Sequence, residues 1–229
     1  MNPLHTTALA LALVLATTAH ASASEKPGIP PAQREFIEWT DLWIPGADKS
    51  DKPRVLLVGD SVTKGYYNNV EKLLKADAYV GRLATSLCAG DPAFIPTLKA
   101  ALMQAEFDVI HFNNGLHGVG YSEKEYAAGY RAAIQAIRQL QPKAKIVVAL
   151  TTPLKKASSK DNLNPRIDER NRIAKIIAKE IAAPIDDLNT PLRNHPELHR
   201  DAYHFNQSGI AVQAKQVARA IRKVLGKSK

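Results

Sequence analysis

The chain has 229 residues and is strongly basic, with 31 lysines and arginines against 22 acidic residues and a formal net charge of +9. The basic side chains are dispersed and are not interleaved with aromatic residues, so we expect no nucleic-acid partner. Cys88 is the only cysteine, which excludes an intramolecular disulfide and leaves core packing to stabilise the chain.

The N-terminal residues have the pattern of a secretory signal peptide. Leu9–Ala16 form an apolar core, and the small residues that follow offer cleavage sites after Ala21 or Ala23. This stretch is shorter than the roughly 20 apolar residues that span a bilayer. We therefore expect residues 1–23 to be removed and the protein to be secreted or periplasmic, without stable membrane insertion. An uncleaved anchor is the alternative, since no lysine or arginine precedes the apolar core.

The remaining chain divides into a short arm and one domain. Residues 24–53 are rich in proline and charge and contain a small apolar cluster, which predicts an N-terminal arm packed on the domain. Residues 54–229 have a length typical of a single domain. We expect the protein to be a monomer.

From residue 54 onward, apolar strand-like runs alternate with segments of helical period, which favours βαβ units and a parallel sheet. The predicted strands are Arg54–Val58, Ala78–Leu83, Val109–Phe112, Lys145–Leu150 and Pro184–Asp187. The predicted helices are Val70–Lys75, Pro96–Ala105, Glu123–Leu140, Arg166–Ile181 and Gln207–Leu225. We expect Ser122 with Glu125 to form a capping box and Asn206 to cap the last helix. Loops at 62–69, 118–122 and 153–165 are expected to shape specificity.

Polar segments follow the predicted strands. They are Gly59-Asp60-Ser61 after the first strand, Gly90-Asp91 after the second, residues 113–117 after the third, and Asp201-Ala202-Tyr203-His204 after the last. Ligands of an open parallel sheet bind at the carboxyl ends of its strands. The sequence therefore predicts that these segments meet at one edge of the sheet.

Two of these segments together supply a nucleophile, a base and an orienting carboxylate. Ser61 can attack an ester only if an imidazole takes its proton and a carboxylate steadies that imidazole. Asp201 and His204 are close enough in sequence to do this from one turn. The alternative is purely structural, with Ser61 capping a helix and His204 on the surface. Asp60 is interpreted as a structural hydrogen-bonding residue.

Two other classes of site are less well supported. His195 and His199, with the nearby Asp201 and His204, are metal-ligand residue types, but Pro196 makes a helix there uncertain. The chain also lacks the Gly-x-Ser-x-Gly elbow of the standard α/β-hydrolases.

In their order, these segments resemble the sequence blocks of the SGNH (GDSL-type) hydrolases over residues 54–225. Gly59-Asp60-Ser61 is similar to the first block, and Asp201-x-x-His204 followed by Phe205-Asn206-x-x-Gly209 is similar to the last. The resemblance implies a three-layer αβα sandwich with a central parallel sheet of about five strands, of the flavodoxin-like type. It also implies Ser61 as nucleophile, His204 as base and Asp201 as its orienting carboxylate, with no cofactor or metal.

The resemblance further implies an oxyanion hole, for which one donor stays open. Backbone N–H groups of Ser61 and Gly90 would contribute to it. The third block departs from the usual Gly-x-Asn-Asp, because Gly115-Leu116-His117-Gly118 sets His117 in the place of the asparagine donor. A shifted alignment gives the role to Asn113 or Asn114 instead.

The function implied is a secreted serine esterase that forms an acyl-enzyme on Ser61. Its expected partner is a small-molecule or carbohydrate ester, such as an O-acetylated polysaccharide. The alternatives are a lysophospholipase or thioesterase-like hydrolase, and a carbohydrate-binding protein that keeps the fold without activity. Lys155, Lys156 and Arg166 favour an anionic substrate, but a solvated loop explains them equally well.

Overall fold

A computed structural model of the chain describes residues 33–155 and 163–227. The predicted signal peptide, the start of the arm and part of the 153–165 loop lie outside these ranges. The elements are β1 (Thr40–Trp43), β2 (Arg54–Gly59), α1 (Ser61–Leu74), β3 (Tyr79–Thr85), α2 (Phe94–Leu102), β4 (Val109–Phe112), α3 (Glu123–Leu140), β5 (Lys145–Ala149), α4 (Asn164–Glu180), β6 (Ile185–Asp186) and α5 (Gln207–Leu225). Within the described ranges, no helix is long and apolar enough to cross a membrane.

The strands form one mainly parallel sheet between two helical layers. Their order is β1-β3-β2-β4-β5-β6, and β1 alone runs antiparallel to its neighbour. Alternate residues of a strand face opposite sides of a sheet. Val55 and Leu57 accordingly pack with α1 and α5, whereas Leu56 and Val58 pack with α2, α3 and α4. The αβα sandwich predicted from the sequence is confirmed.

Among the described residues the sheet has six strands rather than about five, because the N-terminal arm supplies β1. Thr40 pairs with Thr85 of β3, and the Trp39 N–H donates to Ser86 Oγ at 2.9 Å. The apolar cluster of the arm is not buried as a whole, since Phe36 is fully exposed and Trp43 is 57% exposed. Strand pairing and polar side-chain contacts, such as that of Arg34 with Asp91, therefore attach this arm, rather than aromatic packing.

The first helix begins nine residues earlier than the sequence predicts, at Ser61 rather than Val70. The Asp60 carboxylate caps it by accepting the Val62 N–H at 2.8 Å. Val62, Tyr66 and Val70 form a buried stripe at helical spacing along it. The expectation of a specificity loop at 62–69 is therefore wrong, whereas the structural role expected for Asp60 is confirmed.

The second helix is also shifted, since α2 covers Phe94–Leu102 instead of the predicted Pro96–Ala105. The two predicted caps are confirmed. Ser122 and Glu125 bond each other's backbone N–H groups at the start of α3, and the Asn206 side chain accepts the Gly209 N–H at the start of α5.

Candidate active site

The turn between β2 and α1 places Ser61 at the carboxyl end of a central strand. Gly59 allows the turn to close, since a Cβ there would lie 2.0 Å from Thr63 Oγ1. Asp60 then caps the helix, so Ser61 occupies its first position. The N–H groups of a first helical turn have no partner within the helix and attract negative charge.

His204 and Asp201 complete a chain of hydrogen bonds with Ser61. His204 Nε2 lies 2.9 Å from Ser61 Oγ. On the other side of the ring, His204 Nδ1 lies 3.0 Å from each carboxylate oxygen of Asp201. The structure thus brings together the three residues that the sequence proposes as nucleophile, base and orienting carboxylate. This geometry suits proton transfer from Oγ to Nε2.

The carboxylate of Asp201 is held in its ionised form. Burial alone would raise its pKa, but the backbone N–H groups of His204 and Tyr203 donate to Oδ1 at 2.8 and 2.9 Å. Together with the His204 imidazole, these donors hold the pKa of Asp201 well below its usual range. A negative charge at Asp201 favours the His204 tautomer with its proton on Nδ1, which leaves Nε2 free to accept.

The loop after β4 is fixed by a buried arginine of α4. Arg170 is 1% exposed and donates to the carbonyl oxygens of Gly115, His117 and Gly118. Its guanidinium stacks 4.6 Å from the centre of the Tyr126 ring. This arginine therefore supports the backbone on both sides of His117.

Arg166 has a related role one turn away on α4. It pairs with Glu123 at 2.7 Å and donates to the carbonyl oxygens of Val119 and Tyr121. The expectation that Arg166 attracts an anionic substrate finds no support, because these partners occupy its guanidinium.

The two asparagines of this loop have structural partners. Asn113 Nδ2 donates to the Ala149 carbonyl oxygen at 2.9 Å. Asn114 Nδ2 donates to the Leu87 carbonyl oxygen at 3.0 Å, and its Oδ1 accepts the Ala89 N–H at 2.9 Å. Both amides thus hold the ends of neighbouring strands and loops. Asn113 Nδ2 also lies 3.2 Å from Thr151 Oγ1, so both of its N–H groups are used, whereas the Asn114 amide is held at its nitrogen and at its oxygen.

Gly90 and His117 occupy different surroundings. A Cβ built on Gly90 would lie 3.1 Å from the Tyr121 ring, and the Gly90 nitrogen lies beside Gly129 of α3. His117 instead lines a cavity together with Ser61 and His204. Gly118, in the place of the usual aspartate, has a φ of +74° and packs against Cys88, so only glycine fits there.

The cavity beside Ser61 has a volume of about 430 Å³. Its walls come from the arm, the loop after β4, the start of α4 and the turn before α5. The lining residues are Gln33, Arg34, Glu35, Ser61, Leu116, His117, Gly118, Val119, Gly120, Leu163, Tyr203 and His204. It therefore offers mixed polar and apolar surfaces next to Ser61.

The candidate metal ligands do not form a cluster. His195 pairs with Glu197 at 2.8 Å, and His199 packs on Phe205 with ring centres 4.2 Å apart. In the ranges 33–155 and 163–227, no group of three potential ligands could hold a metal ion. His199 instead packs in the turn before α5, and His204 contacts Ser61.

Sequence reasoning misses two residues of the site. Arg170 lies on the buried face of α4 with Ile167, Ala174 and Ile177, and a charge on such a face is a signal of a specific partner. Glu35 bonds His117 across a separation of 82 residues, for which no local pattern exists.

Comparison with known proteins establishes the family. A model of the GDSL-like lipase/acylhydrolase family matches residues 57–212. No curated protein sequence matches this chain.

Solved structures share the fold at low sequence identity. A GDSL-like lipase from Bacteroides thetaiotaomicron VPI-5482 superposes with a TM-score of 0.63 and 16% identity, over 74% of this chain and 88% of that one. A carbohydrate esterase family 3 protein from Talaromyces cellulolyticus gives a TM-score of 0.61 and 17% identity, over 77% and 100% of the chains. An acetylxylan esterase from Geobacillus stearothermophilus gives a TM-score of 0.55 and 18% identity, over 77% of this chain and 95% of that one. The match to the family model extends over more than half of this chain. The chain therefore belongs to the GDSL-like lipase/acylhydrolase family of ester-bond hydrolases.

Proposed function

We propose that the protein is an exported serine esterase that removes short acyl groups, such as O-acetyl groups, from a carbohydrate. The observation that carries the proposal is the 2.9 Å contact between His204 Nε2 and Ser61 Oγ, with Asp201 bonded to the far side of the ring. That arrangement has the geometry of an activated serine.

The proposed reaction runs through an acyl-enzyme. Ser61 Oγ attacks the ester carbonyl carbon while His204 Nε2 takes the Oγ proton. When the tetrahedral intermediate collapses, His204 gives this proton to the leaving alkoxide. Water then attacks the acyl group, again losing its proton to His204, and Ser61 is released with its hydroxyl restored. Asp201 stabilises the imidazolium that forms in each half of the reaction.

The oxyanion of each intermediate needs donors placed before the reaction. The Ser61 N–H lies at the positive end of α1 and fits this role. His117, which shares the cavity with Ser61, is the side-chain donor that we propose. Gly90 remains a predicted donor. We do not assign Asn114 to the oxyanion hole, because the nitrogen and the oxygen of its side-chain amide both bond to the 87–89 loop.

The cavity supports a small acyl group on a polar alcohol. Arg34, Glu35 and Tyr203 place polar groups in its wall, whereas Leu116 and Val119 offer limited apolar surface. Two proteins of similar fold are described as a carbohydrate esterase and an acetylxylan esterase. A long acyl chain would require a broader apolar surface than this wall provides.

The acyl preference tests this proposal. We expect kcat/KM for 4-nitrophenyl acetate to exceed that for the octanoate by about tenfold or more. Methylene groups that a pocket does not accommodate can change kcat/KM by this factor. Ser61→Ala measures the background. Equal or better use of octanoate would favour a lipase-like or thioesterase-like enzyme instead. Turnover no faster than that of Ser61→Ala on acetate, octanoate and acetylated xylan would favour the binding-protein alternative.

Export is tested separately. We expect the protein recovered from outside the cytoplasm to begin at Ser22 or Ser24, because the small residues before these positions suit signal-peptide cleavage. N-terminal sequencing of the fractionated protein measures this. A membrane-bound protein that starts at Met1 would indicate the uncleaved anchor.

A further inference from the structure

Three consecutive residues of the N-terminal arm form one side of the cavity that contains Ser61. Gln33, Arg34 and Glu35 all line this cavity. They precede β1 and lie outside residues 57–212, the part of the chain that the family model matches. The match to the family therefore does not account for this side of the cavity.

The opposite side of the arm contact is the segment 116–120, which also lines the cavity and is called the loop wall here. Glu35 Oε2 lies 2.8 Å from His117 Nδ1, and Glu35 Oε1 accepts the Gly118 N–H at 2.9 Å. Arg170 of α4 donates to the carbonyl oxygens of the same two residues. The loop wall is therefore held between the arm and α4.

The neighbouring arm residues bind a second loop, the one that follows β3. Arg34 pairs at 2.8 Å with Asp91, a carboxylate that is only 3% exposed. Asp91 Oδ2 also accepts the Tyr121 hydroxyl at 3.1 Å, and that hydroxyl accepts the Gln33 N–H at 2.9 Å. Within the described residues, Arg34 is the one basic partner of Asp91. Since a buried charge without its partner is costly, the arm stabilises this loop.

The Tyr121 ring joins the two loops. A Cβ built on Gly90 would lie 3.1 Å from one edge of the ring, and a Cβ built on Gly118 would lie 3.1 Å from the other edge. Gly118 also packs directly against Cys88. The loop after β3 and the loop wall thus meet at one junction, and the arm bonds to both of them there.

We propose that Arg34 and Glu35 are positioning residues that keep the loop wall in place beside Ser61, so that the arm is part of the active site. The inference rests on the proposed ester hydrolysis. An ester bound in the cavity must meet Ser61 Oγ in a defined orientation, and a displacement of about 1 Å can lower the rate about 100-fold. A loop wall that moves would therefore lower kcat, although neither arm residue takes part in the chemistry.

Asp41 provides the matched control. It belongs to the same arm, and its carboxylate also has two partners, Arg82 at 2.9 Å and Lys64 at 2.7 Å. These contacts attach β1 to the sheet and to α1, whereas Asp41 does not line the cavity. Asp41→Asn should consequently weaken the attachment of the arm without changing kcat.

The experiment measures kcat and KM for 4-nitrophenyl acetate. We expect Glu35→Ala to lower kcat about 10- to 100-fold with little change in KM. Glu35→Gln should lose less, because the glutamine carbonyl oxygen can still accept the Gly118 N–H.

Arg34 is tested together with its partner, since Arg34→Ala alone would leave a buried charge unpaired. Arg34→Ala/Asp91→Asn should also lower kcat, while asparagine at this position can still accept the Tyr121 hydroxyl. Adding Glu35→Ala to this pair should cost less than the product of the separate losses, because both contacts support one loop wall.

Hydrogen exchange read by mass spectrometry gives a second readout, which does not depend on turnover. In the protein without substrate, we expect the amides of residues 116–121 to exchange faster in Glu35→Ala than in the wild type. Those of β1 should be unchanged in this variant. In Asp41→Asn, residues 116–121 should exchange as in the wild type.

Three outcomes would overturn the proposal. A raised KM with unchanged kcat in Glu35→Ala would mean that Glu35 binds the substrate. An equal loss of kcat in Asp41→Asn would mean that attachment of the arm as a whole is responsible. Unchanged exchange of residues 116–121 in Glu35→Ala would show that Glu35 does not hold the loop wall. Unchanged turnover by Ser61→Ala would instead refute the proposed serine mechanism, and the hydrogen exchange would still decide whether the arm holds this wall.

Discussion

Replacing Ser61 with alanine should lower kcat by about a million-fold, the loss seen when a serine nucleophile or its base is removed from such a triad. Without Oγ, no acyl-enzyme can form, and water must attack the bound ester directly. The side chain contacts His204 and lies at the first position of α1, so its loss should leave the fold intact. Steady-state kinetics on 4-nitrophenyl acetate measure the change.

Ser122→Ala is the matched control. Ser122 caps α3 on the exposed side of the molecule, so its loss should cost about 1 kcal/mol of stability without changing kcat. Mass spectrometry of the wild type, quenched during turnover, should find one acyl group on the peptide that contains Ser61. Turnover by Ser61→Ala within tenfold of the wild type would exclude Ser61 as the nucleophile.

The core of this fold is predictable because its central strands are buried on both faces. Val55–Val58 is a continuous apolar run, and Val109–Phe112 is apolar except for the buried His111, and covered parallel strands have a near-continuous apolar composition. β1 lacks that pattern, since Thr40–Trp43 lie at the sheet edge with Leu42 and Trp43 largely exposed. Its place is determined by pairing with β3, which is a long-range contact.

The start of α1 shows a different limit. Residues 62–69 contain glycine, asparagines and polar side chains that have weak helical preference on their own. The Asp60 cap and the buried stripe of Val62, Tyr66 and Val70 stabilise the helix despite this weak preference. Tertiary burial, which no local propensity contains, decides where this helix begins.

Within the candidate site, the sequence predicts what is local and misses what is distant. Ser61 follows its strand directly, and Asp201 and His204 share one turn, so their proximity follows from topology. The roles of Asn114 and His117 depend on which neighbours each side chain meets. Asn114 meets the 87–89 loop, whereas His117 meets Glu35 from the arm.

Asp201→Asn should lower kcat by about 10,000-fold while leaving the fold intact, as expected for loss of the carboxylate that sets the tautomer of a catalytic histidine. The introduced amide can present its NH2 group to His204 Nδ1, which favours the tautomer with the proton on Nε2. Nε2 then cannot accept the Ser61 proton, although the 2.9 Å contact between them is kept. Kinetics across the pH range measure the loss.

The pH dependence of the wild type tests whether Asp201 stays ionised. Hydrogen bonds from backbone N–H groups and from the imidazole outweigh burial and hold the pKa of Asp201 well below its usual range. Asp201 should therefore stay ionised as the pH falls through the usual range of a carboxyl group, and it should add no protonation step to the kcat/KM profile there. A protonation step in that range that is lost in Asp201→Asn would show that Asp201 titrates within it.

Asp187→Asn is the matched control, because Asp187 is held in a similar way outside the site. Burial would raise its pKa, but Thr190 and Asn189 donate to it and lower it. A carboxyl whose pKa falls on folding stabilises the native state above its unfolded pKa, near 3.9, and loses this effect as the pH falls through its folded pKa. Both variants should thus lose stability at neutral pH relative to the wild type and converge with it in acid, as measured by urea unfolding. Only Asp201→Asn should also lose kcat, and an equal loss in Asp187→Asn would mean that general destabilisation causes the effect.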